Sequence, residues 1–230
     1  MTGPQTPAVA PESPDTDDGL PPFAPDFIEQ DYPDAIDDMI PTRGFSMLPV
    51  VGLGGSAGSI NALLEIFKAT PANTGMAFVV VLHLSPLHES TLHGLIAAAT
   101  SMPVTQAVDG QRVEPDHVYV IPPGKYLTTV NNRLHLFDLV PERGRRVAVD
   151  VFFRSLADSH GPNATAVILS GADSDGAQGI KRIKERGGLT IAQDLEEAES
   201  TGMPRSAIET GMVDWVLASR EIPARLLAYR

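Results

Sequence analysis

Ser56 is the one hydroxyl at the centre of a glycine-rich run formed by Gly52, Gly54, Gly55 and Gly58. The apolar stretch Leu48-Pro49-Val50-Val51 precedes the run, and Ala62-Leu63-Leu64-Ile66-Phe67 follows it at helical spacing. The pattern predicts a buried parallel strand, a tight turn and a helix. Such a turn aims backbone N–H groups and the positive helix end at one point, and its glycines permit conformations that a Cβ forbids. A second apolar strand, residues 76–82, is followed at once by His83. A later one, residues 164–170, runs into Gly171-Ala172-Asp173-Ser174-Asp175-Gly176. A hydroxyl, an imidazole and a carboxylate at the ends of neighbouring parallel strands are the parts of a serine hydrolase. The hydroxyl attacks, the imidazole takes its proton and returns it to the leaving group, and the carboxylate fixes the imidazole tautomer. These residues leave open whether Asp173 or Asp175 is that carboxylate. Backbone N–H groups of the two glycine-rich turns would hold the developing oxyanion.

Each residue also has a structural explanation: Ser56 as a helix N-cap, His83 as a satisfied strand-end histidine, Asp175 as a helix cap. Their conjunction at strand ends is what favours chemistry. Gly52-x-Gly54-x-x-Ala57 also fits the looser dinucleotide fingerprint, which predicts a nucleotide-binding protein instead. That fingerprint calls for an acid at the end of the next strand, where this chain has His83. His88, His93, His117, His135 and His160 are dispersed, without carboxylate or cysteine partners at ligand spacing. No metal and no cofactor are expected.

The elements that must position these groups alternate along the chain. After His83, Ser85 and Glu89 stand near the start of a helix reaching residue 100. Strands are expected at 104–107 and 117–121, with Asp109-Gly110 as a turn. Residues 126–130 and 133–137 flank Asn131-Asn132, which predicts a hairpin at one edge of the sheet. Asp150 is expected to cap a helix at 151–159. A helix at 177–186, a strand at 189–193, a helix after Pro204, a strand at 213–217 and a last helix ending near Tyr229 complete the series. The expectation is an α/β fold: a doubly wound, mostly parallel sheet with helices on both faces, Rossmann-like and three-layered. In such sheets a site lies outside the carboxyl ends of strands, where strand order reverses.

The 230 residues, 43% of them apolar, suffice for one sizeable core. Residues 1–44 carry nine prolines and ten acids against a single base, Arg43, and read as a disordered acidic tail preceding a catalytic domain at 45–230. Within the tail, the segment from Phe23 to Ile28 is the one candidate docking motif. The Glu142-Arg143-Gly144-Arg145-Arg146 cluster reads as a solvated loop or a contact for an acidic partner. There is no basic stripe with interleaved aromatics, so nucleic acid is not an expected partner. There are no cysteines, hence no disulfides or thiolate metal sites. No apolar run reaches transmembrane length and the N-terminus lacks a signal-peptide pattern, which predicts a cytoplasmic protein without membrane insertion.

Five stretches resemble one known family: Val51-Gly-Leu-Gly-Gly-Ser-Ala-Gly58, Val79-Val-Val-Leu-His83, His117-Val-Tyr-Val-Ile-Pro-Pro-Gly124, Ile168-Leu-Ser-Gly-Ala-Asp-Ser-Asp-Gly176 and Gly202-Met-Pro-Arg-Ser-Ala-Ile208. In that order they are similar to the catalytic domain of CheB, the chemotaxis protein-glutamate methylesterase, over about residues 46–229. The resemblance implies Ser56 as nucleophile, His83 as general base and Asp175 as orienting acid. It implies an oxyanion and site lining drawn from Gly55, Ala57, Ala172, Asp173, Met203 and Arg205. The implied activity is hydrolysis of γ-glutamyl methyl esters on chemoreceptor helices with release of methanol, and deamidation of receptor glutamines beside it. Three positions depart from the family pattern: Gly55 and Ser59 stand where an alanine and a glycine are usual, and Asp173 where a glycine is usual. Asp173 adds a carboxylate beside the site, which motivates an alternative: a binding or regulatory module that keeps the fold and has weakened catalysis. In place of a phospho-receiver domain the chain has only its acidic leader. It therefore looks closer to esterase domains at the front of larger proteins that carry methyltransferase and sensor-kinase domains, which would then be its partners.

Overall fold

The computed structural model describes residues 44–83, 91–138 and 147–229. The acidic leader with its Phe23-to-Ile28 segment, the Ser85-to-Glu89 helix start and the 142–146 basic cluster lie outside the described residues.

Seven parallel strands form one sheet: β1 Val50–Gly55, β2 Ala77–Leu82, β3 Val104–Gln106, β4 Val118–Val120, β7 Ala164–Ile168, β8 Leu189–Gln193 and β9 Trp215–Leu217. Their spatial order is β3-β4-β2-β1-β7-β8-β9. From β1 the chain winds outward through β2, then crosses to β7 on the other side of β1 and winds the opposite way. The reversal point therefore lies beside the carboxyl end of β1.

Helices α1 Ile60–Ala69, α2 Leu92–Ala97, α3 Ala148–His160, α4 Ala177–Glu185, α5 Gly202–Glu209 and α6 Ile222–Tyr229 cover the sheet. Strand alternation decides what each face can hold. Val51 and Leu53 join Phe78, Val80, Val167 and Ile191 in one core with Leu63, Ile66 and Phe67 of α1, Ile96 of α2 and Leu226 of α6. The other face of β1 is glycine, and there α3 lies against the sheet. A Cβ on Gly52 would sit 2.8 Å from the Phe153 ring, and one on Gly54 would sit 2.3 Å from Val149 Cγ1. Real Cβ contacts do not come that close, so these glycines admit α3.

This corrects the expected turn at 52–58. The strand runs on through Gly55, and none of Gly52, Gly54, Gly55 and Gly58 has a positive φ. The glycines serve close packing of backbone against helix.

The hairpin forms from β5 Lys125–Val130 and β6 Arg133–Asp138, turned by Asn131 and Asn132 at φ +51° and +59°. It pairs as a separate two-stranded sheet and does not extend the edge of the large one. Its support is α3: the Thr129 N–H donates to Ser155 Oγ at 3.1 Å. With the sheet on one side and the hairpin on the other, α3 buries Val149, Val151, Phe152, Phe153, Leu156, Ala157 and His160, nearly its whole circumference.

Candidate active site

Ser56 follows the last residue of β1 and His83 the last residue of β2, strands paired in parallel with Gly55 opposite Leu82. Ser56 and His83 are thus the next opposed pair of the ladder, and the His83 N–H donates to the Gly55 carbonyl at 3.2 Å. Backbones of neighbouring strands lie about 4.8 Å apart, which puts the two residues side by side at the sheet's rim. Ser56 is fixed by its backbone. Its N–H donates to Ser170 O at 3.0 Å across the β1–β7 gap. Its carbonyl accepts the Ser59 N–H at 2.9 Å and the Ser59 hydroxyl at 2.6 Å. That short turn, Ala57–Ser59, feeds into α1.

Asp173 and Asp175 come from the turn after β7, on the other side of β1. His83 Nε2 lies 2.7 Å from Asp175 Oδ2, and His83 Nδ1 lies 3.1 Å from Asp173 Oδ2. Because β1 runs between β2 and β7, these contacts close above the end of β1, where Ser56 stands. Both ring nitrogens of His83 therefore face carboxylates.

The two carboxylates differ in kind. Asp175 has a side chain 1% exposed and accepts from the Val149 N–H at Oδ2 and the Asp150 N–H at Oδ1, each at 2.8 Å. These are N–H groups of the first turn of α3, which otherwise has no side-chain cap. A carboxylate held by two backbone donors at a positive helix end is a rigid anchor for an imidazole. Gly176, next in the chain, takes φ +95°, a conformation that lets α4 start directly behind this anchor. Asp173 has a side chain 48% exposed, and its Oδ1 accepts the Asp175 N–H at 3.0 Å in a local Asx turn.

The remaining residues singled out in the sequence take distinct places. Ala172 is exposed on the second turn, and among the described residues none accepts its N–H. Gly55 backs onto Ser59: a Cβ there would meet Ser59 Oγ at 2.7 Å. Ala57 opens the turn into α1, where helix-start N–H groups converge. Met203 is fully buried and packs beneath Gly171, whose carbonyl accepts the Met203 N–H at 2.8 Å. Arg205 is exposed on α5.

Two supporting roles escaped the sequence reading. Ser170, fully buried, donates its N–H to Gln193 Oε1 at 2.8 Å and accepts the Ser200 N–H at 2.8 Å, tying both glycine-rich turns to the loop before α5. Asp150, expected to cap its own helix, lies inside the first turn of α3 and instead accepts the Gly179 N–H of α4 at 2.7 Å. The acceptors for the start of α3 come from Asp175, far along the chain. Its burial, and then the charge of Asp175, push the Asp150 carboxyl up to about 7.

Comparison with known proteins bears on this arrangement. The family model described as CheB methylesterase matches residues 51–226. A putative protein-glutamate methylesterase/protein-glutamine glutaminase of Leptospira interrogans is 35% identical over 175 residues, covering 74% of this chain and 89% of that one. The protein-glutamate methylesterase/protein-glutamine glutaminase of Hydrogenovibrio crunogenus is 35% identical over 183 residues, 78% of this chain and 48% of that one. The protein of the same description from Pectobacterium atrosepticum is 32% identical over 198 residues, 82% of this chain and 56% of that one. The chain thus spans most of the Leptospira relative and about half of the other two. The crystal structure of the Thermotoga maritima CheB methylesterase catalytic domain superposes with a TM-score of 0.74 at 30% identity, covering 80% of this chain and all of that one.

Proposed function

The chain belongs to the CheB methylesterase family, and on that premise we propose that Ser56, His83 and Asp175 carry out the hydrolysis of glutamate γ-methyl esters on chemoreceptor helices. The observation that carries the assignment is the contact of His83 Nε2 with the buried Asp175 carboxylate at 2.7 Å, closed above the strand end that bears Ser56.

The geometry supports the following roles. Asp175 holds Nε2 and leaves Nδ1 as the nitrogen that takes the Ser56 proton. Ser56 Oγ attacks the ester carbonyl, the C–O double bond opens onto the carbonyl oxygen, and the proton passes to His83. The Ala172 N–H and the N–H groups at the start of α1 are the donors suited to that oxygen. The tetrahedral adduct collapses, methanol leaves with the proton from His83, and an acyl-serine remains. Water then repeats the sequence, giving up its proton to His83 and returning the glutamate carboxylate and the free Ser56 hydroxyl. With a glutamine side chain the leaving group is ammonia, so deamidation needs no further residue. Gly55 and Ala57 flank Ser56 in the chain, Asp173 and Arg205 are assigned to the exposed edge of the site, and Met203 to its support beneath Gly171. Methyltransferase and sensor-kinase domains are the proposed partners, and the protein works in the cytoplasm. Among the described residues no helix is long and apolar enough to cross a membrane.

Methanol release from methylated receptor tests this directly, together with labelling by a serine-directed fluorophosphonate. Ser56→Ala and His83→Ala should each remove most of the rate, and label should appear on Ser56 alone. Near-parent turnover in Ser56→Ala removes the nucleophile assignment. A chain that binds receptor without labelling favours a binding module of the same fold, the alternative that Asp173 raises by occupying the second ring nitrogen.

A further inference from the structure

A general base needs a ring nitrogen with a free lone pair, yet in this structure both nitrogens of His83 lie against carboxylate oxygens, Asp175 at 2.7 Å and Asp173 at 3.1 Å. An imidazole facing two acceptors is best satisfied as the cation, donating from both nitrogens. In that state it cannot accept a proton from Ser56. The conflict has a structural resolution, because the two acids are held so differently. Asp175 is enclosed, and two backbone N–H groups of α3 grip both its oxygens. Removing it from His83 would break the start of a helix. Asp173 is half exposed, and the only other hydrogen bond it makes among the described residues is the short Asx turn to the Asp175 N–H through its other oxygen. A rotation about its side-chain bonds takes Oδ2 from the imidazole into water at small cost.

Resting on the assignment of His83 as the base for Ser56, we propose that Asp173 is a latch on the imidazole: engaged, it occupies the nitrogen that would take the serine proton, and disengaged, it frees that nitrogen. Asp173 is a positioning residue that restrains the site and takes no part in the bond changes. It sits on the rim, so any substrate group that attracts its carboxylate or crowds it outward opens the latch as the ester arrives. A neighbouring lysine, arginine or amide on the receptor helix has that chemistry. Among the described residues, the charged groups facing His83 are Asp173 and Asp175 from the turn after β7, with Asp150 of α3 behind Asp175 and Arg154 acting on Asp150. Of these, Asp173 alone is substantially exposed to solvent at the ring, so its influence is the one that salt should screen.

The experiment uses the full chain and its Asp173→Asn variant. Asparagine keeps the oxygen that closes the Asx turn and removes the charge. The protonation of His83 is followed by NMR of its ring signals from pH 5 to 9, and fluorophosphonate labelling of Ser56 is timed over the same range. With the latch, the variant should release its imidazole proton at lower pH than the parent. Labelling at pH 6 should be about three- to tenfold faster in the variant, and the two rates should converge above pH 8. Added salt should move the parent towards the variant and leave the variant nearly still. Coincident ring titrations overturn the proposal, and so does slower labelling in the variant at every pH. Asp173→Ala, which loses the Asx turn as well, separates a merely structural role: a lowered Tm with an unmoved titration sinks the latch. Failure of the parent to label at any pH would instead defeat the nucleophile assignment, while the ring titration still decides Asp173.

Discussion

Asp175 closes the start of α3 and Asp150 the start of α4: the Asp150 N–H donates to Asp175 Oδ1 at 2.8 Å, while the Asp150 carboxyl accepts the Gly179 N–H of α4 at 2.7 Å. The exchange locks α3 to α4 and sets the Asp175 anchor behind His83. It also brings two acids together in a buried place.

The electrostatic consequence can be measured. Burial, then the neighbouring charge of Asp175, raise the Asp150 carboxyl from 3.8 to about 7. Between those values the folded chain holds a proton that the unfolded chain has lost, so this group's contribution to stability falls as pH rises from about 4 through 7. The loss is on the order of 4 kcal/mol. Urea unfolding of the parent and of Asp150→Asn at pH 5 and pH 8 reads it. The parent should lose ground to the variant on going to pH 8, and a pH-independent difference would refute the assignment.

Asp175→Asn separates anchoring from charge. The amide keeps one oxygen for the N–H groups of α3, so the fold should survive with a loss of roughly 1 kcal/mol, the scale of a helix cap. The imidazole loses its fixed tautomer and the support for its cation, which should lower kcat by about 10³- to 10⁴-fold with little change in KM. Steady-state methanol release beside thermal unfolding checks both parts. Equal losses of activity and stability would mean that Asp175 only holds the fold.

How far the sequence carried this depends on whether the determinant is local. The apolar runs before Ser56, His83 and Gly171 mark strand ends on their own, and the rule that parallel sheets place sites at such ends brings the three stretches together. The roles of Gly52 and Gly54 were not legible, because a glycine in a sequence looks the same whether it permits a positive φ or makes room for Val149 and Phe153. Asp150 reads as a cap by position, but the acceptor that starts α3 comes from Asp175, and no local pattern contains that pairing. The hairpin was expected at a sheet edge and instead lies on α3. The signal for this was present: Val149, Val151, Phe152, Phe153, Leu156 and Ala157 leave α3 with apolar residues around most of its circumference, as a helix covered on two sides requires. The reach of Asp173 to the second nitrogen of His83 depends on the shape of a six-residue turn, which composition does not encode.

His160 acts on stability in the opposite direction from Asp150. It is fully buried at the end of α3, and burial pushes its imidazole down from 6.5 to about 4, offset only in part by the Leu156 backbone. The unfolded chain therefore binds a proton that the folded chain refuses between those values. The stability tied to a neutral His160 is present above pH 6.5 and is lost as pH falls towards 4. His160→Leu, an apolar side chain in an apolar place, should remove this acid-side loss and leave the opposing Asp150 trend, so that stability rises as pH falls from 7 to 4 in urea unfolding. An acid limb unchanged in the variant would assign it to other groups. Because Asp150 and His160 titrate in overlapping windows with opposite signs, the parent alone would show a deceptively shallow slope, and each single variant should steepen or invert it.

Gly54→Ala tests whether packing of α3 on β1 controls the chemistry as well as the fold. The new methyl would stand 2.3 Å from Val149 Cγ1 and 3.2 Å from the Phe153 ring, so α3 must lift or tilt away from the sheet. Overpacking of this kind costs about 1–3 kcal/mol. The N–H groups that hold Asp175 belong to Val149 and Asp150 in the same turn of α3, so the displacement carries the anchor away from His83. Activity should therefore fall further than the lost stability explains, measured at a temperature where the variant is fully folded. Gly94→Ala provides the contrast. Gly94 lies within α2 with nothing within 4 Å of its added Cβ, and an alanine there should stabilise by up to about 1 kcal/mol without touching turnover. A Gly54→Ala chain that is destabilised yet retains parent turnover while folded would show that the position of α3 does not govern the His83 anchor.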